Sequence, residues 1–232
     1  LVPLQQLADL PGLLNAPYIN SFGATETGLA PASGSRLTPG VVPTSLAKRE
    51  SGFCRVRLVD ADDRDVPVGT PGEAAVRGPT LFSGYWNAPE VNAHDFRGGW
   101  FHMGDLFVRR DDGTLDFVDR AKYLIKSGGE NIYPAEIERV LLAQPGVADA
   151  AVVRQCDERW GEVPIVFVAF KPGAAADTDA LAACCREQLA GYKRPKEFRV
   201  VELAAFPRSS TGKIQRHEIE RLWLAPGKNP PA

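Results

Sequence analysis

The sequence predicts an α+β chain in which a short-stranded, β-barrel-like subdomain is followed by a compact α+β unit. Three observations carry this. From about residue 52 to 118, short runs of alternating apolar and polar residues are separated by turn-rich segments, as where "FCRVRLVD" gives way to "DADDRDVPVGTPG". After Arg120 the pattern changes to strands interleaved with helical periodicity over about 110 residues, a typical size for an independent domain. The 232 residues are 44% hydrophobic and 24% charged, ordinary values for a globular chain long enough for one large domain or two small ones.

Taken in order, residues 1–16 read as the tail of a structure already under way. Because the chain opens on Leu1, a fragment or processed product is expected. "YINSF" (18–22) is a short β-like run leading into the Gly- and Thr-rich turn "GATETG", and the Pro/Ser/Gly-rich residues 31–50 are expected to be loop. "EAAVRG" and "GTLDFVDR" add strands. The acidic run Asp60 to Asp65 lacks the sixth-position glycine and closing glutamate of a calcium loop, so it reads as a solvated hairpin tip. Trp86 and Trp100 are assigned to packing. Pro134 suits the first position of a helix on which Ile137, Val140 and Leu141 share a face, and "QPG" (144–146) stops it. "ADAAVVRQ" and "VPIVFVAFKPG" read as two strands. Residues 178–190 read as a helix with Leu181, Cys184, Cys185 and Leu189 inward and Gly191 as its stop. "FRVVEL" is one more strand, and 216–223 a short final helix. The division is placed near 120–123, giving parts 1–120, with the barrel-like strands at about 48–118, and 123–232.

A net charge of −2 argues against a nucleic-acid binder by bulk electrostatics. The longest strongly apolar run, "IVFVAF" (165–170), is far short of a bilayer span, and no secretory signal is expected. Cys54, Cys156, Cys184 and Cys185 form no C-x-x-C pair and the three histidines are scattered, so no metal cluster is expected. A reduced, cytoplasmic setting fits best.

"SSTGK" (209–213) ends in the letters that close a phosphate-binding P-loop, but the spacing fails. Pro207 stands where that motif needs glycine, and Ile214 stands where it needs the magnesium-binding hydroxyl. Lys213 is therefore either an idle surface lysine or a charge delivered to an anion by another architecture. Three other stretches supply what a nucleotide needs. "FGATE" brings the Phe22 ring, the Thr25 hydroxyl and the Glu26 carboxylate; "GWFHMGD" ends in Asp105, an acceptor suited to a ribose diol; "DRAK" places Arg120 just before the change of domain. Singly each is weak, since Thr-Glu pairs commonly cap helices and Gly-Asp pairs commonly form turns. Their order makes the combination specific.

Through "FGATETG", "GYWNAPE", "GWFHMGDL", "DRAKYLIKSGGENIYPAEIE", "DERWGE", "YKRPK" and "PRSSTGKI", nearly the whole chain resembles the C-terminal portion of an adenylate-forming enzyme of the acyl-CoA synthetase type. The same superfamily includes luciferases and nonribosomal peptide adenylation domains. The resemblance implies the ANL-type fold, with 1–120 as the end of the large AMP-binding domain and 123–232 as a mobile lid. It implies an ATP-dependent ligase that joins a fatty or aryl acid to AMP with loss of pyrophosphate, then passes the acyl group to coenzyme A. Phe22 would stack on the adenine, where the family usually has Tyr, with Gly23 beside it in the nucleotide site; Thr25 would contact a phosphate, and Glu26 would help hold a magnesium ion. Asp105 and Arg120 would hold the ribose. Lys213 would reach between the carboxylate and the α-phosphate, where a fixed ammonium stabilises the developing charge more than it stabilises separate reactants.

Lys122 matches the hinge position at 121–122, where an ordinary linker lysine is the alternative. Gly128 and Gly129 in "SGGEN" match the segment that lines the pantetheine tunnel in relatives using CoA, where a glycine hairpin turn is the plain reading. Trp160, Tyr192, Arg194 and Lys196 match positions that meet the nucleotide end of CoA, against a solvated turn and a core tryptophan. His102 is expected to serve structurally rather than as a base, because a carboxylate nucleophile needs no proton removed.

The family's Ser/Thr/Gly-rich phosphate loop is not in the sequence, so this polypeptide alone is expected not to activate a carboxylate. Its missing N-terminal part would be a partner, and residues 1–30 would be partly disordered or pair with another chain. Whether the protein forms a homo-oligomer is open. Two other readings remain: adenylation for a carrier-protein thiol, and a non-catalytic nucleotide- or CoA-binding module.

Overall fold

The computed structural model describes residue 2 and residues 4–224. The chain divides into two compact units, Val2–Lys122 and Tyr123 onward, each with its own apolar core.

The first unit opens with helix α1 (Leu4–Leu14), which buries Leu7, Ala8 and Pro11. Strands β1 (Tyr18–Phe22), β2 (Ala32–Leu37) and β3 (Arg49–Glu50) form a three-stranded antiparallel sheet in that order. Residues 1–30, expected to be partly disordered or to pair with another chain, contain α1 and β1, and β2 departs from the expected loop over 31–50. "ASGSRL" has almost no apolar periodicity, and it is a strand because its backbone pairs with both neighbours, Tyr18 opposite Leu37 and Ala32 opposite Glu50.

A second sheet is an antiparallel meander of β4 (Arg55–Val59), β5 (Pro71–Arg77), β6 (Phe101–Arg109) and β7 (Leu115–Arg120). The barrel-like expectation resolves into these four strands in an open order, with β4 and β7 at its edges. Between β5 and β6 lies helix α2 (Pro89–Asp95), started by Pro89 in its first turn. Phe22 packs edge-on against Phe107 with ring centroids 4.5 Å apart, and Val56, Val76, Phe101 and Leu115 complete this core. Trp100 packs with the Arg57 guanidinium 5.3 Å from its ring centre. Trp86 corrects its assignment to packing: it is 97% exposed, on the loop that precedes α2.

The second unit has β8 (Ile125–Ser127), β9 (Glu130–Ile132), α3 (Pro134–Leu142), β10 (Val147–Asp157), β11 (Gly161–Phe170), α4 (Thr178–Gln188), β12 (Glu197–Val200) and α5 (Arg216–Trp223). Its sheet runs β10-β11-β8-β9, and β12 pairs in parallel with β11. Strands β10 and β11 carry apolar residues on both faces because each face is covered. Val152, Val166 and Val168 pack with Ile137 and Leu141 of α3 and Leu181 of α4. Val153, Ile165 and Phe167 pack with Ile219 and Trp223 of α5. Helix α4 is capped by Asp177, whose carboxylate accepts from Ala180 N at 2.8 Å.

Candidate active site

In the first unit, the "GATET" segment leaves β1 and turns at once into a 3₁₀ turn, Thr25–Thr27. Thr27, not Thr25, holds that turn. Its buried hydroxyl donates to Ala24 O at 2.8 Å and accepts from Ala24 N at 3.1 Å. Gly23 is needed for close packing, since a Cβ there would lie 3.2 Å from Thr27 Oγ1 and 3.3 Å from Ala30 Cα. Thr25 is thereby left exposed at the start of the turn. Phe22 is only 8% exposed, with Phe107 against one side of its ring.

Glu26 is half-buried, and its position is set from two directions. Its carbonyl accepts from Phe82 N at 2.9 Å, and its carboxylate Oε1 accepts from the Tyr85 hydroxyl at 3.0 Å. Tyr85 is itself clamped by Asn92 of α2, which accepts from Tyr85 N at 2.7 Å and donates to Tyr85 O at 2.8 Å. Burial first, then the hydrogen bond to Glu26 and that carboxylate's charge, push the Tyr85 phenol up to about 12. Tyr85 thus stays a donor across the physiological range and fixes one oxygen of Glu26. Tyr85 lies within "GYWNAPE", where no local pattern marks its hydroxyl as meeting a residue 59 positions earlier.

Asp105 sits where β6 loses register with β5. Glu73 faces Leu106 while Ala75 faces His102, so Met103, Gly104 and Asp105 stand opposite the single residue Ala74. Such bulges bend a strand and re-aim its side chains. Gly104, at φ +71°, takes the left-handed conformation that the bend requires. A part-buried polar cluster around the buried His102 supports it. Glu73 Oε1 accepts from Gly104 N at 3.0 Å, and Glu73 Oε2 accepts from Arg97 Nη2 at 2.9 Å. Arg97 Nε also donates to Asp63 at 3.0 Å, and the buried His102 lies between Glu73 and Asp63, at 3.4 and 3.7 Å. Of this cluster only His102 is a candidate at the level of sequence, in a structural part. Asp105 and Arg120 face each other across β6 and β7, with Arg120 Nε donating to Asp105 Oδ1 at 2.8 Å.

In the second unit, Lys213 lies at the end of a tight hairpin whose legs are bridged at Arg208 and Ile214. Ser209 N donates to Lys213 O at 2.9 Å, Lys213 N to Ser209 Oγ at 3.3 Å, and Gly212, at φ +80°, makes the turn. The Lys213 side chain is exposed and has no hydrogen-bond partner among the described residues.

Gly128 and Gly129 form the two-residue turn between β8 and β9, both at positive φ, as a tight I′ hairpin requires. Gly128 also lies beneath Trp160, whose ring would be 2.7 Å from any Cβ placed there. Trp160 is partly exposed rather than core, and the Arg159 guanidinium lies 4.6 Å from its ring centre. Tyr192 and Lys196 are exposed, while Arg194 spends two donors on the carbonyls of Leu189 and Arg186. Lys122 ends the first unit, within the 3₁₀ turn Ala121–Tyr123.

The donor set suits magnesium better than a transition metal. No cluster of three His, Cys, Asp or Glu side chains able to hold a metal occurs among the described residues. Glu26 offers a carboxylate with one oxygen committed to Tyr85 and the other without a partner among the described residues. Magnesium is commonly held by one or two carboxylates together with substrate phosphates, so Glu26 fits that role. No helix among the described residues is long and apolar enough to cross a membrane.

The AMP-binding enzyme family matches residues 4–86, and the AMP-binding enzyme C-terminal domain matches residues 136–213. A 2-succinylbenzoate–CoA ligase of Geobacillus kaustophilus (strain HTA426) is 41% identical over 207 residues, covering 89% of this chain and 41% of that protein. A feruloyl-CoA synthase of Amycolatopsis sp is 44% identical over 173 residues, covering 75% of this chain and 35% of that protein. The structure of o-succinylbenzoate CoA synthetase from Bacillus subtilis with its acyl-adenylate intermediate matches with a TM-score of 0.80 and 31% identity, over 100% of this chain and 45% of that one. The same enzyme with ATP and magnesium matches with a TM-score of 0.79 and 32% identity, over 94% and 44%. The chain thus spans about two fifths of the length of the curated relatives it matches. By the two matched domains and these relatives, the chain belongs to the adenylate-forming superfamily of AMP-binding enzymes, in the company of its CoA ligases.

Proposed function

We propose that this chain is the C-terminal portion of an AMP-forming acid–thiol ligase, with 1–120 completing the AMP-binding domain, 123–232 acting as a lid, and Lys122 at the hinge. The upstream part of the same enzyme supplies the phosphate loop and most of the acyl pocket. The acids named for its relatives, 2-succinylbenzoate and the feruloyl group, put an aryl acid first and a fatty acid second.

The observation that carries the reading is Lys213: an exposed ammonium at the end of a pinned hairpin, without an internal partner among the described residues. Two anions must meet when a carboxylate attacks the α-phosphate. A cation already in place stabilises the charge that builds on the phosphoryl oxygens. Asp105, fixed by Arg120, accepts the ribose hydroxyls. Thr25 donates to phosphate from the exposed start of its turn, and the edge of Phe22 and the Gly23 backbone border adenine. Glu26 would hold magnesium, which would supply charge to offset the phosphates.

In the second half-reaction the Gly128–Gly129 turn passes the pantetheine arm, and Trp160, Tyr192, Arg194 and Lys196 receive the nucleotide end of CoA. The string "SGGEN" as a whole favours CoA over a carrier-protein thiol. Cytoplasmic location goes with these substrates.

The test is isotope exchange between pyrophosphate and ATP in the enzyme completed by its upstream part. Lys213→Ala should lower exchange by about 10²–10³, and undiminished exchange would refute the reading. Supplying CoA or a phosphopantetheinyl protein to the same enzyme separates the two acceptors.

A further inference from the structure

The Lys213 hairpin is pinned before its turn to β10 and after its turn to α3, which is itself tied to β10. Before the turn, Arg208 Nη2 donates to Asp149 Oδ2 at 2.6 Å, at the start of β10, and its Nη1 donates to Gly212 O at 3.0 Å. After the turn, Arg216 opens α5 and gives both arms of its guanidinium to Glu138 of α3, Nε at 3.0 Å and Nη2 at 2.5 Å. Glu138 Oε1 accepts in addition from Val152 N of β10 at 2.9 Å. Glu138 is 3% exposed, and Arg216 is largely buried beside it. A buried carboxylate is costly unless its hydrogen bonds are met, and here a fork-shaped cation and a backbone amide meet them. The face of the same guanidinium lies over the Tyr123 ring, 4.6 Å from its centre. Tyr123 is the residue directly after Lys122.

We propose that Arg216, forked onto Glu138 and stacked on Tyr123, is a positioning residue that sets the base of the Lys213 hairpin and makes the hairpin and the chain beside Lys122 move as one body. Arg216 touches no reacting group; it acts through Lys213. A lysine on an exposed turn has four rotatable bonds of its own, so the geometry of its backbone decides how often its ammonium arrives in place. A misplacement on the order of 1 Å at such a group can cost about 10²-fold in rate. Sequence spacing supports the link, because only Ile214 and Gln215 separate Lys213 from Arg216. The inference rests on the proposed role of Lys213, and its test keeps the two apart.

Two measurements decide it. In the 232-residue chain, amide hydrogen exchange at Ser209, Gly212, Lys213 and Gln215, all hydrogen-bonded within the hairpin, should speed up in Arg216→Lys while exchange at Val166 and Val168 in β11 stays unchanged. Lysine keeps the charge opposite Glu138 but loses the fork and the flat face over Tyr123. A Glu138→Gln/Arg216→Gln double variant, in which no charge is left buried alone, serves where the single change unfolds the chain.

In the completed enzyme, Arg216→Lys should lower the rate of acyl-adenylate formation roughly 10- to 100-fold with little change in KM for ATP. Transfer from supplied acyl-AMP to CoA should be unaffected. In a Lys213→Ala background the same substitution should add nothing. Unchanged hairpin exchange, equal loss in both half-reactions, or multiplying effects of the two substitutions would each overturn the proposal. A Lys213→Ala enzyme with normal exchange between pyrophosphate and ATP would instead remove the reading on which it rests.

Discussion

Arg120 and Asp105 are cross-strand partners: the Arg120 Nε donates to Asp105 Oδ1 at 2.8 Å, and Arg120 Nη2 reaches Met103 O at 3.3 Å. The arginine therefore holds both the aspartate and the bulge that presents it. Asp105→Ala in the completed enzyme should raise KM for ATP by roughly 10- to 100-fold, the equivalent of one or two charge-assisted hydrogen bonds. Arg120→Lys should reproduce a smaller part of that loss, since lysine cannot hold both acceptors with a planar fork. Steady-state kinetics across ATP concentrations is the measurement. An unchanged KM in both variants would show that this pair does not meet the nucleotide.

Tyr85 orients Glu26 by one hydrogen bond at 3.0 Å. Tyr85→Phe keeps the ring, which packs edge-on with Phe82 at 4.8 Å, and removes only the donor. Folding stability should fall by about 1 kcal/mol, and the magnesium concentration for half-maximal activity should rise. Titrating magnesium against wild type and variant, alongside urea melts, separates the two effects. If Glu26 holds the metal unaided, the magnesium curves will superimpose.

The two glycines of the β8–β9 turn should respond differently to alanine. Both have positive φ, which costs an L-residue about 1–2 kcal/mol. Only at Gly128 would the new Cβ also press on the Trp160 ring, at 2.7 Å; at Gly129 it meets nothing within 4 Å. Gly128→Ala should therefore melt earlier than Gly129→Ala and shift Trp160 fluorescence, which Gly129→Ala should leave unchanged. Equal effects would show that contact with the tryptophan is not what fixes Gly128.

Burial pushes the Cys185 thiol up to about 11, with the neighbouring Cys184 adding to the shift. The thiol is neutral when protonated, and the folded state holds its proton more tightly than the unfolded chain does. Stability from this site is complete below about pH 9 and declines as pH rises from there toward about 11. Cys185→Ser should flatten that alkaline decline. At pH 8.5, alkylation should label exposed Cys156 well before Cys185, and rapid labelling of Cys185 in folded protein would contradict its burial.

Elements with their own periodicity or punctuation were legible in the sequence. Pro134 starts α3, residues 216–223 are α5, and the apolar runs around 150 and 166 are β10 and β11. Helix α1, strand β2 and helix α2 were not legible. "ASGSRL" is too polar to announce a strand, and α2 buries no residue, so it presents no apolar stripe. Trp86 shows the converse error, because residue type sets a preference for burial and not a location.

The site divides along the same line. The types and order of Glu26, Asp105, Arg120 and Lys213 are local facts of the chain, and they were enough to suggest the chemistry. What holds each of them was decided only by folding. Tyr85 reaches Glu26 across 59 positions, Glu73 supports Gly104 across 31, and Arg216 reaches Glu138 across 78. Those partners have no periodic relation in sequence, because hydrogen bonds between distant segments depend on where sheet register and helix packing bring the backbones. Chemistry that depends on residue identity can be read from a sequence; the placement of that chemistry depends on long-range closure, which three dimensions alone supply.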